Sequence, residues 1–275
     1  MSSLSTIRGY AFDLDGTIWA GPRLLPGAAE LVADLRRAGL GVVFASNSSR
    51  RGADALAAEL TRLGIEAEAG EVVAAFDLTA SEVLDRAGQV PLLALGTAEL
   101  ADSLARAGHE PLPIDRWRDA RAVVVANDPD FDFARLRAAS RAVAAGAAFF
   151  AVNLDARFPV DDGFDPGCGA LAEAVATAAR ARPIVVGKPF PRMFEAAVAR
   201  LGFPPSQVAM IGDSQASDIV GGKAAGMFTV WVSPRDDIPA VAPPDLAVDD
   251  LPELHRLWLR ASGRGGISPE ARAAR

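Results

Sequence analysis

An alternation of two patterns constrains this chain more than any other feature. Short apolar runs rich in valine, isoleucine and phenylalanine are separated by alanine-rich stretches whose apolar residues recur three and four positions apart. The first pattern suits a strand buried on both faces, the second an amphipathic helix. Strands are predicted at Tyr10–Leu14, Gly41–Ala45, Pro91–Leu95, Ala122–Ala126, Ala148–Val152, Ile184–Val186, Val208–Ile211 and Phe228–Val232. Between them the spacing predicts helices over Ala28–Ala38, Ala53–Leu63, Glu99–Ala107, Phe133–Ala145, Ala170–Ala181, Arg192–Leu201 and Asp218–Ala225. Several are followed by a glycine (Gly39, Gly64, Gly108, Gly202 and Gly226), the residue that best closes a helix in the left-handed conformation. Alternating strands and helices of this length build a mostly parallel sheet with helices on both faces, so the predicted fold class is α/β.

Such sheets bind ligands at the carboxyl ends of their strands, which directs attention to the residues just after each run. These are Asp13-Leu14-Asp15-Gly16-Thr17, Ser46-Asn47-Ser48, Asn127-Asp128, Asn153-Leu154-Asp155, Gly187-Lys188-Pro189 and Gly212-Asp213-Ser214. Polar residues dominate the set.

Composition narrows the chemistry available there. The 275 residues include one cysteine (Cys168), two histidines (His109 and His255) and two lysines (Lys188 and Lys223). A single cysteine makes neither an intramolecular disulfide nor a cysteine-based zinc site, and two distant histidines form no HExxH motif. Catalysis in such a chain falls to carboxylates, which work with hard cations such as Mg²⁺. The net charge of −7 and the lack of a basic stripe with interleaved aromatics argue against a nucleic-acid partner. The longest apolar stretch, 11 residues from Ala142 to Val152, is too short to span a bilayer, which argues against a membrane partner. The amino terminus lacks a signal-peptide core, so a cytoplasmic location is expected. Neither a GxGxxG after the first strand nor a P-loop occurs. Cys168 is expected to be a small packed residue, and both histidines and Lys223 are expected at the surface.

In Asp13-Leu14-Asp15-Gly16-Thr17, two carboxylates one residue apart follow a buried strand. They repel each other unless a cation or proton lies between them, and Gly16 permits the sharp turn that follows. An Asp-Gly turn alone is commonplace, but a hydrated surface turn needs no aspartate emerging from the core. Asp213 ends another apolar strand, and Asp218 falls in the first turn of the next helix, where the helix dipole already favours an acid and Ser217 is a natural cap. With Asp13 these make a carboxylate set sufficient for Mg²⁺. Ser46 and Asn47 offer a hydroxyl and an amide. In a chain that otherwise uses arginine, Lys188 offers a compact point charge to a phosphoryl oxygen.

The order DxDGT, Ser-Asn, Lys-Pro and GDxxxSD resembles the haloacid dehalogenase superfamily of phosphohydrolases. The 141-residue gap between Ser46 and Lys188 leaves room for a large inserted cap. Asn153-Leu154-Asp155-Ala156-Arg157-Phe158-Pro159, Pro166-Gly167-Cys168-Gly169-Ala170, and Val123-Val124-Val125 running into Asp130-Phe131, resemble the NagD-like (class IIA) branch over nearly the whole chain. Leu154 departs from the proline usual there, and Ser217 from the usual threonine. The resemblance implies a Rossmann-like doubly wound core over 1–79 and 182–260 and an α/β cap over 80–181; the tail over 261–275, arginine, glycine, serine and alanine with little apolar content, is expected to be disordered. It implies Asp13 as nucleophile and Asp15 as general acid and base, with Mg²⁺ held by Asp13, the Asp15 carbonyl, Asp213 and Asp218. Gly16, Ser46, Asn47 and Lys188 would bind phosphate, and Asn153 and Asp155 would contact substrate from the cap. The crowd of carboxylates at the strand end would raise the Asp15 pKa, as an acid role requires. The implied activity is hydrolysis of a small phosphomonoester of the sugar phosphate, glycerol phosphate or phosphoglycolate type, with a homodimer formed through the cap. The cap's composition shows no strongly basic pocket. Two rivals remain: a phosphoryl transferase or mutase, which usually carries a smaller helical cap, and a silent phosphometabolite sensor, which should have lost Asp13, Asp15 or Lys188.

Overall fold

The computed structural model describes residues 4–160, 162–233 and 242–264. The chain divides into two compact units: Met1–Ala45, Leu60–Ala67 and Phe194–Arg275 form the first, Ser46–Glu59 and Glu68–Met193 the second.

In the first unit, parallel strands follow the order Leu246–Val248, Phe228–Val232, Val208–Gly212, Gly9–Phe12 and Gly41–Ser46. From the Gly9–Phe12 strand the chain first winds to one side and later returns to pair Val208–Gly212 on the other. That reversal makes a switch point at these two strands, the position at whose carboxyl ends α/β sheets bind their ligands. All four residues of Gly9–Phe12 and all five of Val208–Gly212 are buried, which explains their unbroken apolar character. The register sets Phe12 level with Ile211, so Asp13 and Gly212 leave the sheet at the same height. Helices Ala28–Arg37 and Leu251–Ala261 pack together. Asp250 caps the second of these, its carboxylate accepting the Glu253 N–H at 2.7 Å. The packing is close at Gly27, where a Cβ would lie 2.9 Å from the Pro252 ring.

The second unit has its own parallel sheet, in the order Ile184–Val185, Ala148–Ala151, Ala122–Val125, Pro91–Leu95 and Glu110–Pro111. Helices Ala75–Ala87, Ala98–Arg106, Phe133–Ala144 and Cys168–Ala179 accompany it. An antiparallel hairpin, Arg157–Val160 with Gly163–Pro166, follows the carboxyl end of Ala148–Ala151. The α/β class and the parallel sheets predicted from the alternation are present.

Several elements escaped the sequence reading: strands Val72–Ala74 and Leu246–Val248, the Trp19–Ala20/Arg23–Leu24 and Arg157–Pro166 hairpins, and helices Ala75–Ala87 and Leu251–Ala261. The predicted Asp218–Ala225 helix begins instead with a π-helical turn over Gln215–Ile219 and continues as an α-helix over Val220–Ala224.

Two surface assignments are corrected. His109 is buried. Its Nε2 lies 3.1 Å from the Ala80 carbonyl and its Nδ1 3.5 Å from the Val90 backbone nitrogen. His255 is largely covered, with Nε2 2.8 Å from an Asp34 oxygen. Lys223, on helix Val220–Ala224, keeps a partly exposed side chain, as expected, and pairs with Asp245 at 3.1 Å. Of the predicted tail, Ala261 ends the last helix and residues 265–275 lie outside the described residues. Among the described residues, no helix is long and apolar enough to cross a membrane.

Candidate active site

The ladder of the first unit carries one residue past Phe12, because the Asp13 N–H donates to the Ile211 carbonyl at 2.8 Å. The chain then wraps around one acceptor. The Leu14 carbonyl receives the N–H groups of Thr17, Ile18 and Trp19 at 3.3, 2.9 and 3.0 Å. Gly16 supports this with φ +89°, a conformation costly for any residue with a Cβ, and donates to the Trp19 carbonyl at 2.8 Å. The turn leaves Asp13 buried and Asp15 exposed. The buried Trp19 indole donates to Asp15 Oδ1 at 2.8 Å and fixes that carboxylate's orientation. Sequence reasoning missed Trp19, because its role depends on a turn only the folded chain shows.

A second strand end meets this one. Asp213 follows Gly212 directly, and its carbonyl accepts the Trp231 indole N–H at 2.8 Å. Ser214 begins the π-helical turn, its hydroxyl accepting the Ser217 N–H at 3.3 Å. Asp218 is fully buried and accepts the Ser214 N–H at 3.1 Å. The predicted cap residue Ser217 is therefore a donor, and Ser214 takes the capping role. Asp13, Asp213 and Asp218 each offer a carboxylate oxygen, and these atoms lie within 4.8 Å of one another.

Two glycines make room for this grouping. A Cβ on Gly16 would collide with the Asp213 carboxylate, and one on Gly212 with that of Asp218. Three acids so close, two of them buried, repel strongly unless a cation shares them. An all-oxygen donor set suits a hard divalent ion, which takes its remaining ligands from water, carbonyls or substrate.

The amide, hydroxyl and ammonium groups lie in the second unit. Ser46 is buried, its hydroxyl accepting the Ser48 N–H at 3.1 Å. Lys188 is also buried. The Asn47 amide is turned toward the Lys188 backbone, with Oδ1 accepting its N–H at 2.7 Å and Nδ2 donating to its carbonyl at 3.2 Å. Asn153 is buried, with Nδ2 2.5 Å from the Asn47 carbonyl and Oδ1 accepting the Asp155 N–H at 3.0 Å. Asp155 is exposed, its oxygens 3.4 and 3.5 Å from Asn47 Nδ2.

A cavity of about 430 Å³ in the same unit is lined by Arg50, Arg51, Phe76, Thr97, Glu99 and Asn127, among others. It sits at the carboxyl ends of Pro91–Leu95 and Ala122–Val125, the switch point of the second sheet. The Arg50 guanidinium also stacks on the Phe158 ring, 4.5 Å from its centre. Composition gave no hint of this basic lining, because both arginines come from the loop after Gly41–Ser46.

Cys168 is not a nucleophile. Burial pushes its thiol up to about 12, and Sγ donates to the Val125 carbonyl at 3.3 Å. Burial likewise raises the Asp128 carboxyl, opposed by the Asp130 N–H and by Arg135 at 3.0 Å. Asp128 is thus tied into its own loop.

The chain is similar to known proteins in sequence and in fold. The haloacid dehalogenase-like hydrolase family matches residues 10–110, and a HAD-hydrolase-like family matches residues 185–254. Chronophin of Mus musculus is 37% identical over 239 residues, covering 82% of this chain and 81% of that protein. An acid sugar phosphatase of Staphylococcus saprophyticus is 30% identical over 256 residues, covering 91% and 98%. Among solved structures, the p-nitrophenyl phosphatase from Archaeoglobus fulgidus superposes with a TM-score of 0.82 at 29% identity, covering 91% of this chain and 98% of that one. NagD from E. coli K-12 superposes at 0.81 and 26% identity, covering 90% and 98%.

Fold and relatives together define an α/β phosphatase. The chain belongs to the haloacid dehalogenase-like hydrolases, in their NagD-like branch.

Proposed function

We propose that this phosphatase hydrolyses a small phosphorylated metabolite of the sugar phosphate, glycerol phosphate or phosphoglycolate type through an aspartyl-phosphate intermediate. The observation that carries the reading is the convergence of Asp13, Asp213 and Asp218 at one switch point, their oxygens within 4.8 Å.

The Asp13 carboxylate attacks phosphorus in line with the leaving alcohol, so that an Asp13 O–P bond forms as the ester P–O bond breaks. Asp15 gives its proton to the departing oxygen, oriented for this by the Trp19 indole. Water then attacks the same phosphorus, Asp15 takes its proton, and inorganic phosphate leaves as the Asp13 carboxylate is regenerated. Ser46, Lys188, the Asn47 region and the N–H groups of the Asp15–Gly16 turn neutralise charge on the transferring group. Asp13, the Asp15 carbonyl, Asp213 and Asp218 would hold Mg²⁺, which supplies positive charge against the phosphoryl oxygens when bound. A core-and-cap division, with Asn153 and Asp155 contacting the substrate, completes the reading. We place the enzyme in the cytoplasm, as a homodimer through the cap, with neither nucleic acid nor membrane as partner.

Hydrolysis of p-nitrophenyl phosphate tests this. Activity should require Mg²⁺, vanish in EDTA, and fall by at least about a thousand-fold in Asp13→Asn. Full turnover in EDTA, or in that variant, rejects the mechanism.

A further inference from the structure

Asn47, Asn153 and Lys188 follow three different strands, and 141 residues separate Ser46 from Lys188 in sequence. Their hydrogen bonds nevertheless form one closed set. Asn47 grips Lys188 by both sides of its backbone, accepting the N–H at 2.7 Å and donating to the carbonyl at 3.2 Å. These two bonds also fix which end of the amide is oxygen, since only Oδ1 can receive an N–H. Asn153 in turn holds the Asn47 carbonyl at 2.5 Å and receives the Asp155 N–H at 3.0 Å.

Gly187 allows the strands to approach this closely. A Cβ there would stand 2.6 Å from Asn47 Oδ1, 2.9 Å from the Val152 carbonyl and 3.2 Å from Asn153 Cβ. The Gly187 N–H donates to that same Val152 carbonyl at 2.8 Å.

We propose that Asn47 and Asn153 are positioning residues: their amides form a latch that sets where Lys188 presents its ammonium. The inference rests on the phosphatase reading and changes what the Asn47 side chain does within it. Its amide oxygen, and one face of its amide nitrogen, are spent on the lysine backbone and not on the substrate phosphate. The grip engages main-chain atoms of Lys188 and so acts on where its side chain departs. Displacing a charged donor by about an ångström costs a reaction roughly a hundred-fold, so loosening the latch should cost nearly what losing the lysine costs.

A double-mutant cycle on p-nitrophenyl phosphate hydrolysis tests the latch with Asn47→Ala, Lys188→Met and the double variant, each checked for native melting. Asn47→Ala should lower kcat about a hundred-fold while KM moves only a few-fold. In the double variant kcat/KM should stay within a few-fold of Lys188→Met alone, because the latch has nothing left to position. Additive losses would mean that Asn47 meets the substrate by itself and would overturn the proposal. Asn153→Ala provides a second route should Asn47→Ala fail to fold. It should also lower kcat, and also add little to Lys188→Met; unchanged kcat, or an additive loss, would overturn the latch. Lys188→Met with wild-type turnover would reject the phosphatase reading of this lysine, and the latch with it.

Discussion

Gly16 lies against the Asp213 carboxylate so closely that the smallest side chain would drive into it. Two strand ends thus share one confined space, and the glycine of DxDGT has two functions: it adopts φ +89° and it vacates room for an acid 197 positions later (213 − 16). Gly16→Ala should therefore strain the turn and displace Asp213 together. Steady-state kinetics should show kcat/KM reduced at least about a hundred-fold. Gly64→Ala is the control, with φ +102° but open space around it. It should cost only about 1 kcal/mol of stability for the conformation and leave turnover intact.

The cluster of Asp13, Asp213 and Asp218 should make folding sensitive to divalent ions. Saturating Mg²⁺, at about a hundred times its dissociation constant, should stabilise the native state by about 2.7 kcal/mol and raise the melting temperature by several degrees. Asp218→Asn should remove most of that shift. An unchanged shift in this variant would place the ion elsewhere.

A burial-raised thiol should be chemically silent. Native protein should show no reaction of Cys168 with a thiol reagent at pH 8, and one thiol per chain should react once guanidinium unfolds it. Rapid labelling of the native state would contradict the buried position.

Asp245 sets a pH dependence. Burial by itself would raise its carboxyl, but the Thr229 N–H, Lys223 and the Thr229 hydroxyl together hold it below the usual 3.8. A lowered native value means that Asp245 stabilises the fold above the unfolded pKa and loses that effect as pH falls through the folded one. The melting temperature of wild type should exceed that of Asp245→Asn at pH 7, and the gap should close as pH drops below about 3.8. A gap that widens in acid would reverse the sign.

The sheet strands were legible because burial on both faces leaves an uninterrupted apolar run, as in Ala122–Val125. Val72–Ala74 was not, since three residues leading straight into a helix carry no period of their own. The Gly163–Pro166 strand of the hairpin is exposed, and little in its composition separates it from a loop. At the site, the acids could be read because an aspartate at the end of a buried strand has no structural excuse. Residue types indicated which groups could meet a phosphate but not what those groups would grip. The pairing of Asn47 with the Lys188 backbone, like the burial of His109 against Ala80, depends on distant segments that only folding brings together.

The π-helical turn over Gln215–Ile219 has an evolutionary consequence. Its wider coil, closed by the Val220 N–H on the Gln215 carbonyl, brings Asp218 back beneath the strand end five positions after Asp213. The number of residues between those acids should therefore matter more than which residues they are. Exchanges at exposed Ala216 should be tolerated, while losing or gaining one codon there would rotate Asp218 out of its place. Descendants of this gene can drift in spelling along that segment but not in length.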